Sequence, residues 1–203
     1  MAEIKSTLDM VLARAAPIAA ESDAEEDSGE DVVKEGMRLA AAYLNPTGGS
    51  GVPPAPLAEA LAGQSLIKQA ALRRGMAQTL LRNIVLPRDE VLKERSELAI
   101  KGIIDLLAAQ FGAAVTTTCA ELGQLLGQYG KHKEQMTQQL EDALLHQLEQ
   151  QYTGRGIQPP ARLTAAMHPK YKDELARLLL DLNGQYGQAM DQRKEIITRL
   201  VAR

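Results

Sequence analysis

The sequence predicts an all-α protein: an elongated multi-helix bundle with a long C-terminal helix. Only 3 % of the residues are aromatic, with no Trp and one Phe. The core must therefore be aliphatic, which suits helix packing better than a β-sandwich. Ala, Leu, Gln and Glu are abundant, and all of them favour helices. Apolar residues also recur at three- and four-residue spacing in several stretches, which is typical of amphipathic helices.

The predicted organisation has three parts. Residues 1–44 hold two helices, the first over residues 3–19, with an acidic linker at 21–31 that has seven acids and no base. Blocks of like charge repel and stay disordered, so this stretch is expected to be a solvated linker. Residues 45–56 form a Gly/Pro-rich linker without the Gly-Lys-Ser/Thr of a phosphate-binding loop. Residues 57–203 form the main helical bundle.

The first half of the bundle is expected to contain two or three helices. After a helix over residues 32–44, residues 57–83 form one helix or two, with Gly63–Gln64 as a possible break. Pro87 then suits the first position of a helix that runs to Phe111, because the missing proline N–H would have no partner there.

A break is expected in the middle of the chain. Three consecutive threonines within residues 112–118 are stiff at χ1 and compete for backbone hydrogen bonds. Thr118 and Glu121 have the spacing of a capping box, which restarts a helix that runs to Gly130. A separate Gln-rich helix is expected over residues 131–152.

The last helix is expected to run from Pro169 to Val201. At roughly 1.5 Å per residue it would be about 45 Å long or more. Such a length indicates either a helical hairpin with an earlier segment or a coiled-coil dimer. Gly184 and Gly187 lie inside it and predict a bend or a close helix crossing.

The formal net charge is −3, but without the seven acids of the linker the remainder carries 19 acids and 23 bases. Within this mildly basic remainder, Arg73, Arg74, Arg82 and Arg88 could contact a phosphate backbone. Acids lie close to them and no aromatic residue is interleaved for base stacking. An ordinary charged helix face is therefore favoured, and nucleic-acid binding is the weaker alternative.

Cys119 is the single cysteine, which excludes an intramolecular disulfide and a multi-cysteine zinc site. A reducing, cytoplasmic setting is expected, and a buried thiol is favoured over a nucleophile because no histidine is near it in sequence. No window approaches the roughly 20 apolar residues of a membrane span, and the N-terminus does not have the pattern of a secretory signal.

The histidines give one weak candidate for metal binding. A carboxylate-bridged di-iron bundle needs two Glu-x-x-His motifs, and the chain has only three histidines. Asp142 precedes His146 by four residues and Glu149 follows it by three, but Ala143 stands where the motif has Glu. A solvated face with helix-spaced polar pairs is favoured over a site made of these side chains. No catalytic residue and no cofactor is predicted.

Three stretches resemble a family of uncharacterised bacterial proteins found in anaerobic and sulfate- or metal-reducing lineages. They are AEIKSTLD at residues 2–9, LLRNIVLPRDE at 80–90 and LNGQYGQAMDQRK at 182–194. None of them is a catalytic motif. The resemblance implies a bacterial cytoplasmic protein, and it assigns no activity to any residue.

The sequence thus favours a non-enzymatic interaction or scaffold protein that forms a homodimer through its C-terminal helix. Its mobile N-terminal helix and acidic linker would engage a protein partner. The alternative is a helical-bundle enzyme or ligand- or metal-binding protein whose pocket lies between helices. His132, His146, Tyr129 or Tyr186 would then be among the residues that line the pocket.

Overall fold

The computed structural model describes residues 29–45, 56–160 and 162–202. The expected helix over residues 3–19, most of the acidic linker and residues 46–55 lie outside this part of the chain. The five α-helices are α1 (residues 29–44), α2 (Leu66–Asn83), α3 (Glu90–Phe111), α4 (Ala113–Gly154) and α5 (Tyr171–Val201). Short 3-10 helices lie at Glu59–Leu61 and Ala165–Met167, and the described residues contain no strand. The all-α class and the long C-terminal helix are confirmed.

The connection between α2 and α3 is fixed by a buried serine. The Val85 N–H donates to Ser96 Oγ at 3.1 Å, and Ser96 Oγ lies 3.2 Å from the Val85 carbonyl oxygen. The expected start of α3 at Pro87 is wrong, because the first helical residue is Glu90. Asp89 is the N-cap, and its carboxylate accepts the Leu92 N–H at 2.8 Å, which satisfies a backbone donor that the helix leaves free.

The expected break after Phe111 is present, but it is confined to Gly112. α4 then runs as a single helix of 42 residues, so the expected extension of the break to Thr118 and the separate helix from residue 131 are both wrong. Only Gly112 interrupts the chain between α3 and α4, with a φ of 53° that favours glycine. Thr118 lies inside the helix and its hydroxyl donates to the Ala114 carbonyl at 2.8 Å. The threonine is therefore satisfied by the turn before it, and it does not act as a cap.

We call the larger region of the molecule the body: α1, α2 and α3 together with residues 113–129 of α4 and 186–201 of α5. Its core is aliphatic and contains fully buried side chains from every one of the four helices α2 to α5, among them Leu72, Ile103, Leu122 and Ile197. The break expected near Gly63 is present, since α2 begins only at Leu66.

α1 and α2 cross closely at two glycines. A Cβ atom at Gly36 would overlap the Leu72 carbonyl, and one at Gly75 would overlap the Val33 carbonyl. The backbones can touch because neither residue has a side chain. The segment before α2 is held by a different contact. The carboxylate of Asp105 in α3 accepts the Leu57 N–H at 2.6 Å.

The second region, which we call the arm, consists of residues 130–154 of α4, the connection 155–170 and residues 171–185 of α5. It extends past the body because α4 is 42 residues long and α3 only 22. At roughly 1.5 Å per residue, α3 accompanies α4 for about half of its length. In the arm α4 and α5 pack on each other around Leu144 and Leu148, and the buried His168 closes the tip by accepting the Lys170 N–H at Nδ1 (3.2 Å).

α4 and α5 form an antiparallel hairpin, which was one of the two arrangements expected for the long C-terminal helix. An ion pair between Arg193 and Glu121 (3.2 Å) joins them in the body. The Tyr171 hydroxyl donates to Glu141 at 2.9 Å in the arm. The close crossing expected at the glycines of α5 is not found, because a Cβ atom at Gly184 or Gly187 would have no atom of another helix within 4 Å. None of the helices within the described residues is long and apolar enough to cross a membrane.

Candidate functional site

A groove with a volume of about 410 Å³ lies between α4 and α5, where the arm leaves the body. Its walls are nine side chains: His132, Met136, Leu140, Glu174, Arg177, Leu178, Asp181, Leu182 and Gln185. Four of them are apolar, two are acidic and one is arginine. The groove therefore combines an apolar floor with a charged rim.

The groove exists because half of an apolar stripe on α4 has no helix to cover it. The sequence pattern assigned Met136, Leu140, Ala143, Leu144 and Leu148 to one core face. Leu144 and Leu148 are buried against α5, whereas Met136 is 38 % exposed and Ala143 is also exposed. In the body the corresponding side of α4 is covered by α3. The arm lacks that third helix, so the stripe remains open on one side.

The charged rim lies on α5. Glu174, Arg177 and Asp181 are three and four residues apart, so they lie on the same side of the helix. Within the described residues their side chains form no hydrogen bond or ion pair. Their charges are thus available to a molecule that enters the groove.

An aromatic and polar cluster lies at the end of the groove that is nearest the body. The Tyr129 hydroxyl donates to Asn183 Oδ1 at 2.8 Å, and the Tyr186 hydroxyl lies 3.1 Å from His132 Nδ1. The Tyr129 and Tyr186 rings meet edge to face, with centroids 5.5 Å apart. Burial raises the pKa of Tyr129 and the positive charge of Arg88 opposes that rise, so Arg88 lies near this cluster.

Three of the four residues that the sequence suggested for an inter-helix pocket are thus close together, namely His132, Tyr129 and Tyr186. Of these, His132 lines the groove and the two tyrosines adjoin it. His146 is exposed and does not line the groove. The hydrogen bonds of the cluster orient the rings.

The weak metal candidates lie on the exposed side of the arm. His146 Nε2 is 3.0 Å from Gln150, and its Nδ1 is 3.9 Å from Glu149. Asp142 accepts a hydrogen bond from Gln138 at 2.9 Å. Among the described residues no group of three or more His, Cys, Asp or Glu side chains has an arrangement that could hold a metal ion. These contacts join residues three or four positions apart on one face of α4.

The four arginines considered for polyanion binding occupy different environments. The Arg73 Nε is buried and has no hydrogen-bond partner among the described residues, whereas Arg74 and Arg82 are exposed. Arg88 lies near the buried hydroxyl of Tyr129. Polyanion binding by these arginines remains a prediction.

Cys119 is buried in the body, with 1 % of its surface exposed. Burial raises the pKa of its thiol to about 11, because the charged thiolate is poorly solvated there. The nucleophilic thiolate is therefore scarce at neutral pH. The thiol acts as a small apolar side chain of the core.

Sequence reasoning missed the α5 wall of the groove, and in particular Arg177 and Asp181. These side chains read as an ordinary solvated face because charge alone does not distinguish a groove rim from open surface. A partial signal was present on α4, where apolar residues recur at helical spacing over residues 136–148 and include one wall of the groove.

One family model matches the chain over residues 58–199, and it is described as a family of unknown function, DUF6657. No match was found among the curated proteins or among the solved structures. The matched residues include α2, α3, α4 and α5 as far as residue 199, and hence the whole arm, while α1 lies outside them. Because the match covers more than half of the sequence, the chain belongs to the DUF6657 family.

Proposed function

We propose that this protein is a non-enzymatic helical interaction protein and that the arm is its binding element. The observation that carries the proposal is the groove between α4 and α5, whose apolar floor lies beyond the end of the body. An amphipathic helix from a partner would complete the arm as α3 completes the body. Recognition of a helix in an apolar groove is a common mode of protein association.

The chemistry of the groove supports a binding role over a catalytic one. Met136, Leu140 and Leu178 provide packing surface and no reactive group. Glu174 and Asp181 are on the rim. Among the described residues, neither side chain has a hydrogen-bond or ion-pair partner that would prepare it for proton transfer. Charged residues around an apolar floor are the arrangement that sets orientation and specificity in a protein interface.

A photo-crosslinking experiment in the native cell tests the proposal. A photoreactive amino acid is placed at Met136, in the groove, or at Leu180, which is 72 % exposed on α5 and does not line the groove. We expect a discrete crosslinked protein species with the probe at position 136 and none with the probe at position 180. Equal labelling at both positions, or none at position 136, would refute the proposal.

Binding of a small molecule is a second candidate, and the cluster of His132, Tyr129 and Tyr186 beside the groove favours it. A volume of about 410 Å³ lies within the range of roughly 300–1,000 Å³ that is usual for ligand pockets. Native mass spectrometry of the protein purified from its own cells discriminates between the two functions. A stoichiometric small molecule or metal ion that is lost on denaturation would favour this candidate and revive the enzyme alternative.

The setting that we propose is the cytoplasm. The single cysteine is buried and forms no disulfide, and a reducing compartment is compatible with such a thiol. Fractionation of the native cell followed by immunodetection tests this part, and recovery in an extracellular fraction would contradict it.

A further inference from the structure

We propose that the occupant of the groove is the arm of a second copy of this chain, which packs antiparallel to the first arm across a two-fold axis. This inference rests on the proposed function, since it assigns the partner of the same groove. Each arm contributes α4 and α5, so two arms together form a four-helix bundle. Such bundles bury the apolar faces of all four helices, which a two-helix hairpin cannot do.

The charges of the rim are complementary to themselves in this arrangement. When α5 lies antiparallel to the α5 of the partner copy, with the two-fold axis midway between positions 177 and 181, Arg177 faces the partner's Asp181. The two-fold axis repeats this contact, so the partner's Arg177 also faces Asp181 of the first copy, and two ion pairs form. In a parallel arrangement with the same register, each of these charges would face its own equivalent, which is repulsive.

The rim side chains are free to make these contacts. Arg177 and Asp181 are exposed, and within the described residues neither side chain has a hydrogen-bond or ion-pair partner. An ion pair between the two within one helix would be weak and exposed to water. Pairing with a second copy therefore displaces no established interaction.

The apolar floor provides the matching surface for packing. Met136 and Leu140 of α4 and Leu178 of α5 lie on the open side of the arm, and Met136 is 38 % exposed. The two-fold axis doubles this set to six side chains around one axis. An isologous contact of this kind closes on itself, so it gives a dimer and no higher assembly.

Charge reversal with recombination tests the proposal on the full chain. The molar mass is measured by size-exclusion chromatography with light scattering at about 50 µM. We expect a dimer for the unmodified protein and monomers for Arg177→Asp and Asp181→Arg, because like charges then meet across the axis. The dissociation constant of each variant should rise roughly 100-fold, since like-charge contacts in an interface cost several kcal/mol.

The two variants provide their own rescue. When Arg177→Asp and Asp181→Arg are mixed in equal amounts, both contacts become attractive, and we expect a heterodimer. Asp173→Arg is the matched control, because Asp173 lies seven residues before Leu180 on the exposed side of α5 and outside the groove. This control should stay dimeric, and circular dichroism should show the helix content of the unmodified protein in all variants.

Several results would overturn the inference: a monomer for the unmodified protein, a dimer for both charge-reversal variants, or a mixture that remains monomeric. These outcomes are distinguishable from failure of the proposed function. If the unmodified protein is a monomer and the probe at position 136 crosslinks to a different protein, the groove is a binding site and only the second copy is wrong. If position 136 crosslinks to nothing, both proposals fail.

Discussion

The two halves of α4 make the most informative comparison in this molecule. Leu122 in the body and Leu144 in the arm are the same residue type on the same helix, and both are buried, with 0 % and 5 % of their surface exposed. Leu122 lies in the core cluster that also includes α2 and α3, whereas Leu144 packs outside that cluster, within the hairpin. The two leucines are therefore almost equally buried, although Leu122 is surrounded by more helices than Leu144.

The polar residues of the two regions differ in the same way. In the body, Ser96 and Asp105 use their side chains to fix chain connections inside the protein. In the arm, Arg177 and Asp181 have no partner within the described residues. Ser96 and Asp105 therefore hold the body together, while the two rim charges of the arm lie at its surface.

The largest expected effects come from Leu122→Ala and Leu144→Ala. Replacement of a buried leucine by alanine costs about 2–5 kcal/mol, and the cost grows with the cavity that remains. We expect Leu122→Ala to cost about 4 kcal/mol, because helices on several sides prevent the core from collapsing. Leu144→Ala should cost about 2 kcal/mol, because the two helices of the arm can move together. Urea denaturation followed by circular dichroism at a fixed protein concentration measures both free energies of unfolding.

Leu180→Ala provides the control for this pair, because Leu180 is 72 % exposed and its replacement should leave the free energy of unfolding nearly unchanged. Equal costs for Leu122→Ala and Leu144→Ala would mean that the arm is as tightly surrounded as the body. The distinction between the two regions would then be wrong.

Smaller changes in stability are expected from replacing two glycines by alanine, one a loss and the other a gain. Gly75→Ala places a Cβ atom against the Val33 carbonyl, which belongs to the backbone and cannot rotate away. We expect α1 to separate from α2 and the protein to lose about 2 kcal/mol of stability, as is usual for overpacking. Gly123→Ala has open space around the new atom and should gain up to about 1 kcal/mol, because alanine favours a helix more than glycine does.

Thermal unfolding of both glycine variants gives the comparison directly, since the midpoint should fall for Gly75→Ala and rise for Gly123→Ala. If Gly75→Ala is as stable as the unmodified protein, the close crossing of α1 and α2 does not exist in solution. The result would remove α1 from the body while leaving the arm unaffected.

The sequence predicted the fold class because helix periodicity and the scarcity of aromatic residues are local and compositional properties. It failed at Thr118 because a threonine hydroxyl can cap a new helix or bond to the preceding turn, and only the fold decides between the two. It failed at Pro87 for a similar reason, since Asp89 two residues later is a better cap.

The groove could be predicted only in part. The apolar residues Met136 and Leu140 stood out in the sequence, but a periodic stripe does not reveal how many helices will cover it. That number depends on where α3 ends relative to α4, which follows from the length of α3 and the turn at Gly112. Whether Arg177 lies on a groove rim or on open surface also depends on where α3 ends relative to α4.

The smallest expected effect lies at the junction of the two regions, in the hydrogen bond from Tyr129 to Asn183. Tyr129 is buried at the end of the body, and Asn183 is exposed at the start of the arm. Tyr129→Phe keeps the ring and its contact with Tyr186 but removes the hydroxyl. A hydrogen bond of this kind contributes about 0.5–1.5 kcal/mol, and water can replace it at the exposed Asn183. We therefore expect a loss near the lower end of that range.

Because this hydrogen bond joins the two regions, where the protein is destabilised is more informative than by how much. Hydrogen exchange of the backbone amides should become faster in α5 around Asn183 and stay unchanged near Leu122, because Leu122 belongs to the core cluster of the body and the two bonded residues do not. Asn183→Ala removes the same bond from the arm side and should reproduce the pattern. Faster exchange throughout the body in either variant would show that the two regions unfold as one unit, since the loss of a junction contact would then be felt equally on both sides.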